Sequence, residues 1–314
     1  TLALAQLADA WGYRRYWLAE HHNSASHAGT APEILIAAIA ATTRRIRVGS
    51  AGVMLPHYAA LKVAEQFKVL EAIAPGRVDL GVGRAPGSDG RTAYALNPNA
   101  AEAGDRFPQQ VQDLLGWLGE GLPVTHPFAQ VQAQPAIPTT PEVWILGSSD
   151  FGAQLAAYFG LPYCFAHFIT DGRGSEEAMA LYRDGFRPTP GRLQAPQAAL
   201  AIFAITAPTE AEAWRLFRSR ELWRLSRDRG IYPPLPTVEE AEAYPYSEAE
   251  QAKVERMRAR AIVGAPEQVV AKLAAVAAAH GAQEVAVLTP CHDQAARQTS
   301  FRLLAEANAA LPAC

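Results

Sequence analysis

Short apolar runs alternate with helical patterns along almost the whole chain. The apolar runs, rich in β-branched and aromatic residues, occur at 13–20, 46–55, 77–84, 142–149, 163–169, 200–207 and 284–290. Helical periodicity separates them, as at 31–43 and 59–74. Strands that alternate with helices are typical of parallel α/β folds, because each helix returns the chain to the start of the next strand.

The strand count favours a closed barrel. Seven strands are predicted in a chain whose first element is a helix at 1–12, so one further strand before Thr1 would complete a (β/α)8 TIM barrel. We therefore expect residues 1–314 to form one barrel domain whose first strand lies outside this sequence. An open doubly wound sheet is the alternative, but no Gly-rich phosphate loop follows the first strand.

One segment breaks the alternation. Residues 230–265 contain "GIYPPLP" and "AYPYSEAE", in which proline and charged residues interrupt any regular period. We predict that this segment is an insertion, or a lid, between strands 7 and 8 of the barrel.

Composition excludes several classes of partner and site. The 28 Lys and Arg residues are balanced by 31 Asp and Glu, which argues against a nucleic-acid partner. The sequence contains no run of 18 apolar residues, so no membrane span is predicted. The three cysteines, Cys164, Cys291 and Cys314, form no CxxC pair, so we expect no structural zinc site and a reducing, cytoplasmic compartment.

The string "AEHHN" at 19–23 ends the first predicted strand and carries two histidines. Histidine titrates near neutrality, which makes His21 and His22 candidates for proton transfer. A purely structural hydrogen bond to a neighbouring loop is the alternative. A metal site from Glu20, His21, His22 and His27 is disfavoured, since adjacent side chains on a strand point to opposite faces, and no metal is predicted.

The string "GSAGVMLP" at 49–56 places glycine and alanine inside an otherwise β-branched strand. Small residues in a strand often mark the close approach of another group to the backbone. That group is either a flat ring or the tightly packed interior of the barrel.

Three polar residues that follow strands are suited to anions. Arg84 ends the strand at 77–84, where a guanidinium can bind a phosphate or carboxylate, or form a salt bridge to a loop. Ser148 and Ser149 precede a helix whose free amides favour an anion, although helix capping explains them equally well. His167 lies among aromatic residues and is predicted to be a core or pocket-wall residue.

Taken together, four strings resemble the bacterial luciferase-like monooxygenases, the LLM class of flavin-dependent oxidoreductases, and in particular their single-domain alkanal-type relatives. These strings are "AEHHN", "VGSAGVMLP", "EQFKVLEAIAPGRVDLGVGRAPG" and "WILGSSDFGAQLAAYFGLPYCFAHF". The resemblance runs in order from residue 1 to about 207 and resumes at "VGAPEQVVAKL" and "VLTPCHD".

The resemblance implies a flavin site at the C-terminal mouth of the barrel. Reduced FMN, supplied by a separate reductase, would bind with its ring against the strand at 46–55, where the family often has a non-proline cis peptide; here that bond would join Ala51 and Gly52. Arg84, Ser148 and Ser149 would hold the phosphate. His21 matches the catalytic histidine of the luciferases.

The implied function is an FMN-dependent monooxygenase that uses O2 to oxidise a small organic substrate. Hydride transfer with a deazaflavin coenzyme and non-catalytic flavin binding are alternatives within the same fold. A flavin reductase would be a transient partner, and a homodimer through helices 31–43 and 59–74 is expected. Gly83 stands where the luciferases carry a reactive cysteine, and the sequence gives no support for light emission.

Overall fold

The chain falls into two compact units that interleave along the sequence. A computed structural model describes residues 1–27 and 29–310. The first unit comprises Thr1–Gly147, Phe151–Tyr163 and Gly185–Pro196. The second comprises Ser148–Asp150, Cys164–Asp184 and the described residues from Gln197 onward.

The described residues form eight strands. They are β1 (Arg15–Leu18), β2 (Arg47–Met54), β3 (Val78–Gly83), β4 (Glu142–Gly147), β5 (Tyr163–Phe165), β6 (Ala198–Thr206), β7 (Ile262–Gly264) and β8 (Glu284–Leu288).

Helices connect the strands. They are α1 (Leu2–Ala10), α2 (Pro32–Thr42), α3 (Ala60–Ile73), α4 (Gly90–Leu96), α5 (Ala100–Asp105), α6 (Phe107–Leu115), α7 (Asp150–Phe159), α8 (His167–Thr170), α9 (Ser175–Gly185), α10 (Glu210–Asp228), α11 (Val238–Ala243), α12 (Glu248–Arg258), α13 (Pro266–His280) and α14 (Gln294–Ala309). None of the helices in the described ranges is both long enough and apolar enough to cross a membrane.

In the first unit, β1 to β4 are parallel neighbours in chain order. Ser50 of β2 lies opposite Leu80 of β3, and Gly81 lies opposite Trp144 of β4. The pairing of β2 with β3 shifts by one residue between Ala51 and Val53. β3 is buried along its whole length, as expected for a strand covered on both faces.

An ion-pair network joins the N-terminal ends of these four strands. Asp79, fully buried, accepts hydrogen bonds from Arg15 Nη1 and Trp17 Nε1, both at 2.8 Å, and from Arg47 Nε at 2.8 Å. Glu142 lies 3.2 Å from Arg15 Nη2 and 3.3 Å from Arg47 Nη2. A buried carboxylate is stable only when it is paired in this way, so the network fixes this end of the sheet.

In the second unit, two different parts of β6 pair with two different strands. Residues from Ala199 to Phe203 pair with β8, and Ala204 to Thr206 pair with β7. Ile205 of β6 packs in a cluster with Phe217 of α10 and Val263 of β7. The helix α10 begins after a side-chain cap, since the Thr209 side chain accepts a hydrogen bond from Glu212 N.

All seven predicted strands are present, with two corrections. The strand predicted at 163–169 ends at Phe165, and its last residues form α8 instead. The segment 230–265 contains α11, α12 and the additional strand β7, which at three residues is too short to give a period. The strand expected before Thr1, the single-domain organisation and the lid stay predictions.

Candidate functional site at the ends of the first three strands

Three of the predicted site segments come together in the first unit. Because β1, β2 and β3 are adjacent and parallel, their C-terminal ends share one edge. His21 follows β1, Ala51 and Gly52 lie in the C-terminal half of β2, and Arg84 follows β3. The structure therefore places these residues on neighbouring strands of one sheet edge.

His21 is a half-buried residue tied to the loop after β3. Its backbone N–H donates to Gly29 O at 2.8 Å, and its ring Nδ1 lies 3.3 Å from Gly87 O. Because a carbonyl can only accept, this contact requires a proton on Nδ1. The neutral ring then has its basic nitrogen at Nε2, which is the atom suited to accept or return a proton.

Glu20 is a buried carboxylate that joins three segments. It is 1% exposed, and its Oε1 accepts from Tyr58 Oη at 2.7 Å and from His22 Nε2 at 2.8 Å. Its Oε2 accepts from the backbone N–H of Met54 at 3.0 Å. Burial, together with the hydrogen bond to Glu20 and its charge, raises the pKa of Tyr58, so this phenol stays protonated and donates.

The loop after β3 is held from two further directions. His57 Nε2 donates to Pro86 O at 2.8 Å, while its buried Nδ1 has no hydrogen-bond partner among the described residues. Asn23 Nδ2 donates to Asp89 Oδ2 at 3.2 Å. Hydrogen bonds from Thr92 lower the pKa of Asp89, whose carboxylate caps α4. These contacts hold the loop on either side of Gly87, whose carbonyl binds the His21 ring.

The end of β2 is built for a close backbone approach. As predicted, the peptide bond between Ala51 and Gly52 is cis. A Cβ atom on Gly52 would lie 2.5 Å from Leu146 Cδ1 and 2.7 Å from Gly81 O. A Cβ on Gly81 would meet Ser50 O and lie 2.8 Å from Leu146 Cδ1. Packing between strands therefore requires glycine at positions 52 and 81.

Arg84 presents an exposed guanidinium at the start of α7. Its Cζ lies 4.0 Å from the centre of the Phe151 ring, and Phe151 is the second residue of that helix. Among the described residues the Arg84 guanidinium has no hydrogen-bond or ion-pair partner. A planar cation stacked on a ring keeps its N–H edges available for an anion.

The remaining predicted residues belong to the second unit. Ser148 is half-buried and Ser149 is exposed, and both directly precede α7 in the chain. His167 lines a cavity of this unit, as expected for a pocket-wall residue. Cys164 and Cys291 are buried free cysteines, and burial raises the pKa of both thiols. Cys314 lies outside the described residues.

Sequence reasoning missed the part played by Glu20, Tyr58 and His57. Glu20 was considered only as a disfavoured metal ligand, and in the described part of the chain no group of three or more His, Cys, Asp and Glu side chains is arranged to hold a metal ion. The only available signal was a carboxylate beside two histidines. Its partners Met54 and Tyr58 lie 34 and 38 residues away, so local patterns could not reveal the network.

Comparison with known proteins identifies the family. The family description "Luciferase-like monooxygenase" matches residues 1–284. A protein named luciferase-like monooxygenase from Escherichia coli (strain K12) is 39% identical over 96% of this chain and 89% of its own length. The N-acetyl-S-alkylcysteine monooxygenase of Bacillus subtilis (strain 168) is 36% identical over 98% of this chain and 91% of its own length.

Solved structures agree in fold. Apo-MsnO8 superposes with a TM-score of 0.89 at 38% identity, covering 99% of this chain and 92% of that one. Two more distant structures share the fold alone. The oxygenating constituent of 3,6-diketocamphane monooxygenase from Pseudomonas putida, in complex with FMN, has a TM-score of 0.68 at 21% identity, covering 97% of this chain and 90% of that one. An F420-dependent secondary alcohol dehydrogenase has a TM-score of 0.69 at 16% identity, covering 98% of this chain and 93% of that one. The predicted fold class, α/β of the (β/α)8 barrel type, is confirmed, and the chain belongs to the luciferase-like monooxygenase family.

Proposed function

We propose that this protein is an FMN-dependent monooxygenase that uses reduced FMN and O2 to oxidise a small organic substrate. The observation that carries the proposal is the arrangement of His21, the Ala51–Gly52 bond and Arg84 at the ends of three adjacent strands. The monooxygenases among its relatives and the FMN-bound structure of the same fold support this choice of chemistry.

The residues of the first unit fit a flavin phosphate. Arg84 combines a full positive charge with unpartnered N–H groups, and it stacks on Phe151 in the first turn of α7. Free backbone amides at a helix N-terminus favour a phosphate for the same electrostatic reason. For Ser148 and Ser149 of the second unit, a contact with the phosphate stays what the family resemblance implies.

The end of β2 fits the edge of a flat ring. Ala51 is half-buried beside the fully buried Gly52, and neither carries a side chain beyond Cβ. A short, apolar stretch of backbone lets an isoalloxazine ring approach the strand closely. We assign Ala51 and Gly52 to support of the flavin ring.

Reduced FMN would supply, when bound, two electrons to O2, so that one oxygen atom enters the organic substrate and the other leaves as water. His21 would act as the catalytic residue by holding or returning a proton at Nε2, while Gly87 O fixes the orientation of the ring. Glu20 would act through position, because it anchors the segment that carries His21 to Met54 and Tyr58. A separate flavin reductase would deliver the reduced cofactor, and we place the reaction in the cytoplasm.

An anaerobic titration with reduced FMN and, in parallel, a reduced deazaflavin coenzyme tests the assignment. We expect FMN to bind in preference, and admission of oxygen with a panel of small organic compounds to give an oxygenated product. Preference for the deazaflavin without oxygen consumption would move the assignment to hydride transfer. Binding of FMN without any product would indicate a non-catalytic flavin protein, and binding of neither cofactor would overturn the proposal.

Two variants assign the residues. Substitution His21→Ala should leave the affinity for FMN unchanged and reduce turnover by about 100-fold or more, the usual contribution of a general acid or base. Arg84→Met should weaken FMN binding by about tenfold or more, as expected for a lost charge-assisted contact. His126→Ala and Arg91→Met, which alter residues outside this site, are the matched controls. Normal turnover by His21→Ala would refute its role.

A further inference from the structure

The second unit contains a cavity that the proposed flavin chemistry does not use. Its lining includes Phe168, Phe203 and Phe217 together with His167, Asp171 and Arg220. The space that water-sized groups can occupy is about 50 Å³. A single water needs only about 10–15 Å³ on this measure, so the cavity has room for a group of several non-hydrogen atoms.

Arg220 is a buried cation with no ion-pair partner among the described residues. It lies on α10 with 4% of its surface exposed, and its Nε and Nη1 have no hydrogen-bond partner among the described residues. Its Cζ lies 4.7 Å from the centre of the Phe203 ring and 5.4 Å from that of Trp223. Ring contacts of this kind hold a guanidinium in place but do not satisfy its N–H groups.

The nearest carboxylates are committed to other cations. Asp171 Oδ2 lies 3.6 Å from Arg224 Nη1, and Asp228 accepts from Arg224 Nε at 3.0 Å and lies 3.8 Å from Lys253 Nζ. Burial, and then the charge of Arg224, lowers the pKa of Arg220 to about 10 against the opposing charges of Asp171 and Asp228, which still leaves it charged at neutral pH. A buried charge without a partner is costly, so an anion in the cavity would be stabilising.

A basic cleft of about 270 Å³ shares residues with the cavity. The cleft is lined by five cations, Arg173, Arg224, Lys253, Arg256 and Arg260, against the two carboxylates of Asp171 and Asp228. Asp171, Met257 and Arg260 line both spaces. An excess of positive charge in this cleft raises the local concentration of anions next to the cavity and disfavours cations.

We propose that the cavity binds a small carboxylate anion that carries a short apolar group, with Arg220 as its charged partner. Three phenylalanines suit an apolar group, and a single buried guanidinium suits a single negative charge. Burial lowers the pKa of His167, so this ring adds no charge, and the two cations Arg220 and Arg260 against the one carboxylate of Asp171 leave one net positive charge for a monoanion. The proposal does not depend on the flavin assignment.

Calorimetric titration of the flavin-free protein with butyrate tests the proposal. We expect saturable binding, and we expect the neutral isostere butyramide and inorganic phosphate each to bind at least about tenfold more weakly, because a guanidinium site discriminates by charge and shape. Trp223 fluorescence should change with the same midpoint. Failure of butyrate to bind, or equal binding of butyramide, would overturn the proposal, and preference for phosphate would refute the carboxylate assignment.

Variants on α10 locate the site. Arg220→Gln should reduce butyrate affinity by at least about tenfold. Arg227→Gln is the matched control, because Arg227 also stacks on Trp223, at 4.7 Å, but is exposed and does not line the cavity. If Arg220→Gln does not fold, Arg220→Lys keeps the charge and should bind more weakly than the wild type. Unchanged affinity in either folded Arg220 variant would exclude this residue as the partner.

Discussion

Glu20 orders three segments of the first unit through one side chain. Its two oxygens accept from a phenol, an imidazole and a backbone amide, which belong to the turn after β2, the loop after β1 and the end of β2. Each hydrogen bond to a buried charged acceptor stabilises a fold more than a neutral one does. At the scale of the residue, the position of His21 therefore depends on Glu20, a neighbour that does not need to contact the substrate.

Replacing Glu20 by Gln tests this dependence. The amide NH2 would face a donor, so we expect the free energy of unfolding to fall by about 1–3 kcal/mol. Tyr58→Phe removes one hydrogen bond and leaves the carboxylate, so a smaller loss of about 1 kcal/mol is expected. Urea unfolding of the two variants gives both values. A Glu20→Gln protein as stable as the wild type would show that the charge is not needed.

The sequence revealed those site residues whose type and position are informative by themselves. His21 and Arg84 follow strands, and the Ala51–Gly52 pair interrupts a β-branched run, so strand ends and composition pointed to them. Glu20 and Asp79 gain their importance from partners on other strands. Such partners become known only when register is known, and register is a property of the folded sheet.

At the scale of the element, Asp9 ties α1 to the residues that lead into β2. Its carboxylate accepts from Arg44 N at 3.0 Å, Arg45 N at 3.1 Å and Ile46 N at 2.8 Å. Burial alone would raise the pKa of Asp9, but these three backbone donors and the charge of Arg45 outweigh it and lower the pKa below its usual 3.8. The ionised form is therefore the one that stabilises this connection.

The pH dependence follows from the sign of this change. A carboxyl whose pKa is lower in the folded state contributes stability above its unfolded pKa and loses it as the pH falls through the folded value. Asp9→Asn should therefore lower the free energy of unfolding by about 1 kcal/mol or more at pH 7. The difference from the wild type should shrink below about pH 4. A difference that stays constant down to pH 2 would contradict the assignment.

The contact between β2 and β3 gives a second prediction for an element. Gly81→Ala would place Cβ against Ser50 O, a backbone atom that cannot move without breaking the strand pairing. We expect a loss of about 1–3 kcal/mol, typical of overpacking. Gly83→Ala on the same strand is the control, because its Cβ would meet Met54 Cε at 3.4 Å, which a flexible side chain accommodates. Chemical denaturation compares the two, and equal stabilities would refute the close approach.

Elements with a clear period were predictable, and those without one were not. The helices α2 and α3 were placed within one residue at each end, since each has an apolar face and a proline or glycine beyond one of its ends. β7 has only three residues, and α11 and α12 carry many charged side chains. Their stability comes from capping boxes and from partners elsewhere in the second unit, which a hydrophobic period does not report.

At the scale of the whole molecule, the alternation of strands and helices was enough to predict the fold class. The cofactor, the substrate and the partners are not encoded in that alternation, because one α/β fold supports many chemistries.

The surface of the first unit adds information on partners. Ile34 of α2 is 67% exposed, and Val69 and Ile73 of α3 are each 48% exposed. Branched apolar side chains on two neighbouring helices form a face suited to association.

We propose that this face of α2 and α3 joins two copies of the chain, as the family resemblance implies. An aspartate at each of two positions would bring like charges into an apolar contact, which is strongly unfavourable. Ile34→Asp combined with Val69→Asp should therefore convert the dimer to a monomer at micromolar concentration. Its circular dichroism should remain that of the wild type, because both side chains already face solvent within one chain.

Sedimentation velocity measures the change from dimer to monomer. The control Val124→Asp alters a 94% exposed residue outside these helices and should leave the dimer intact. A wild type that sediments as a monomer, or a double variant that stays dimeric, would exclude this face as the interface.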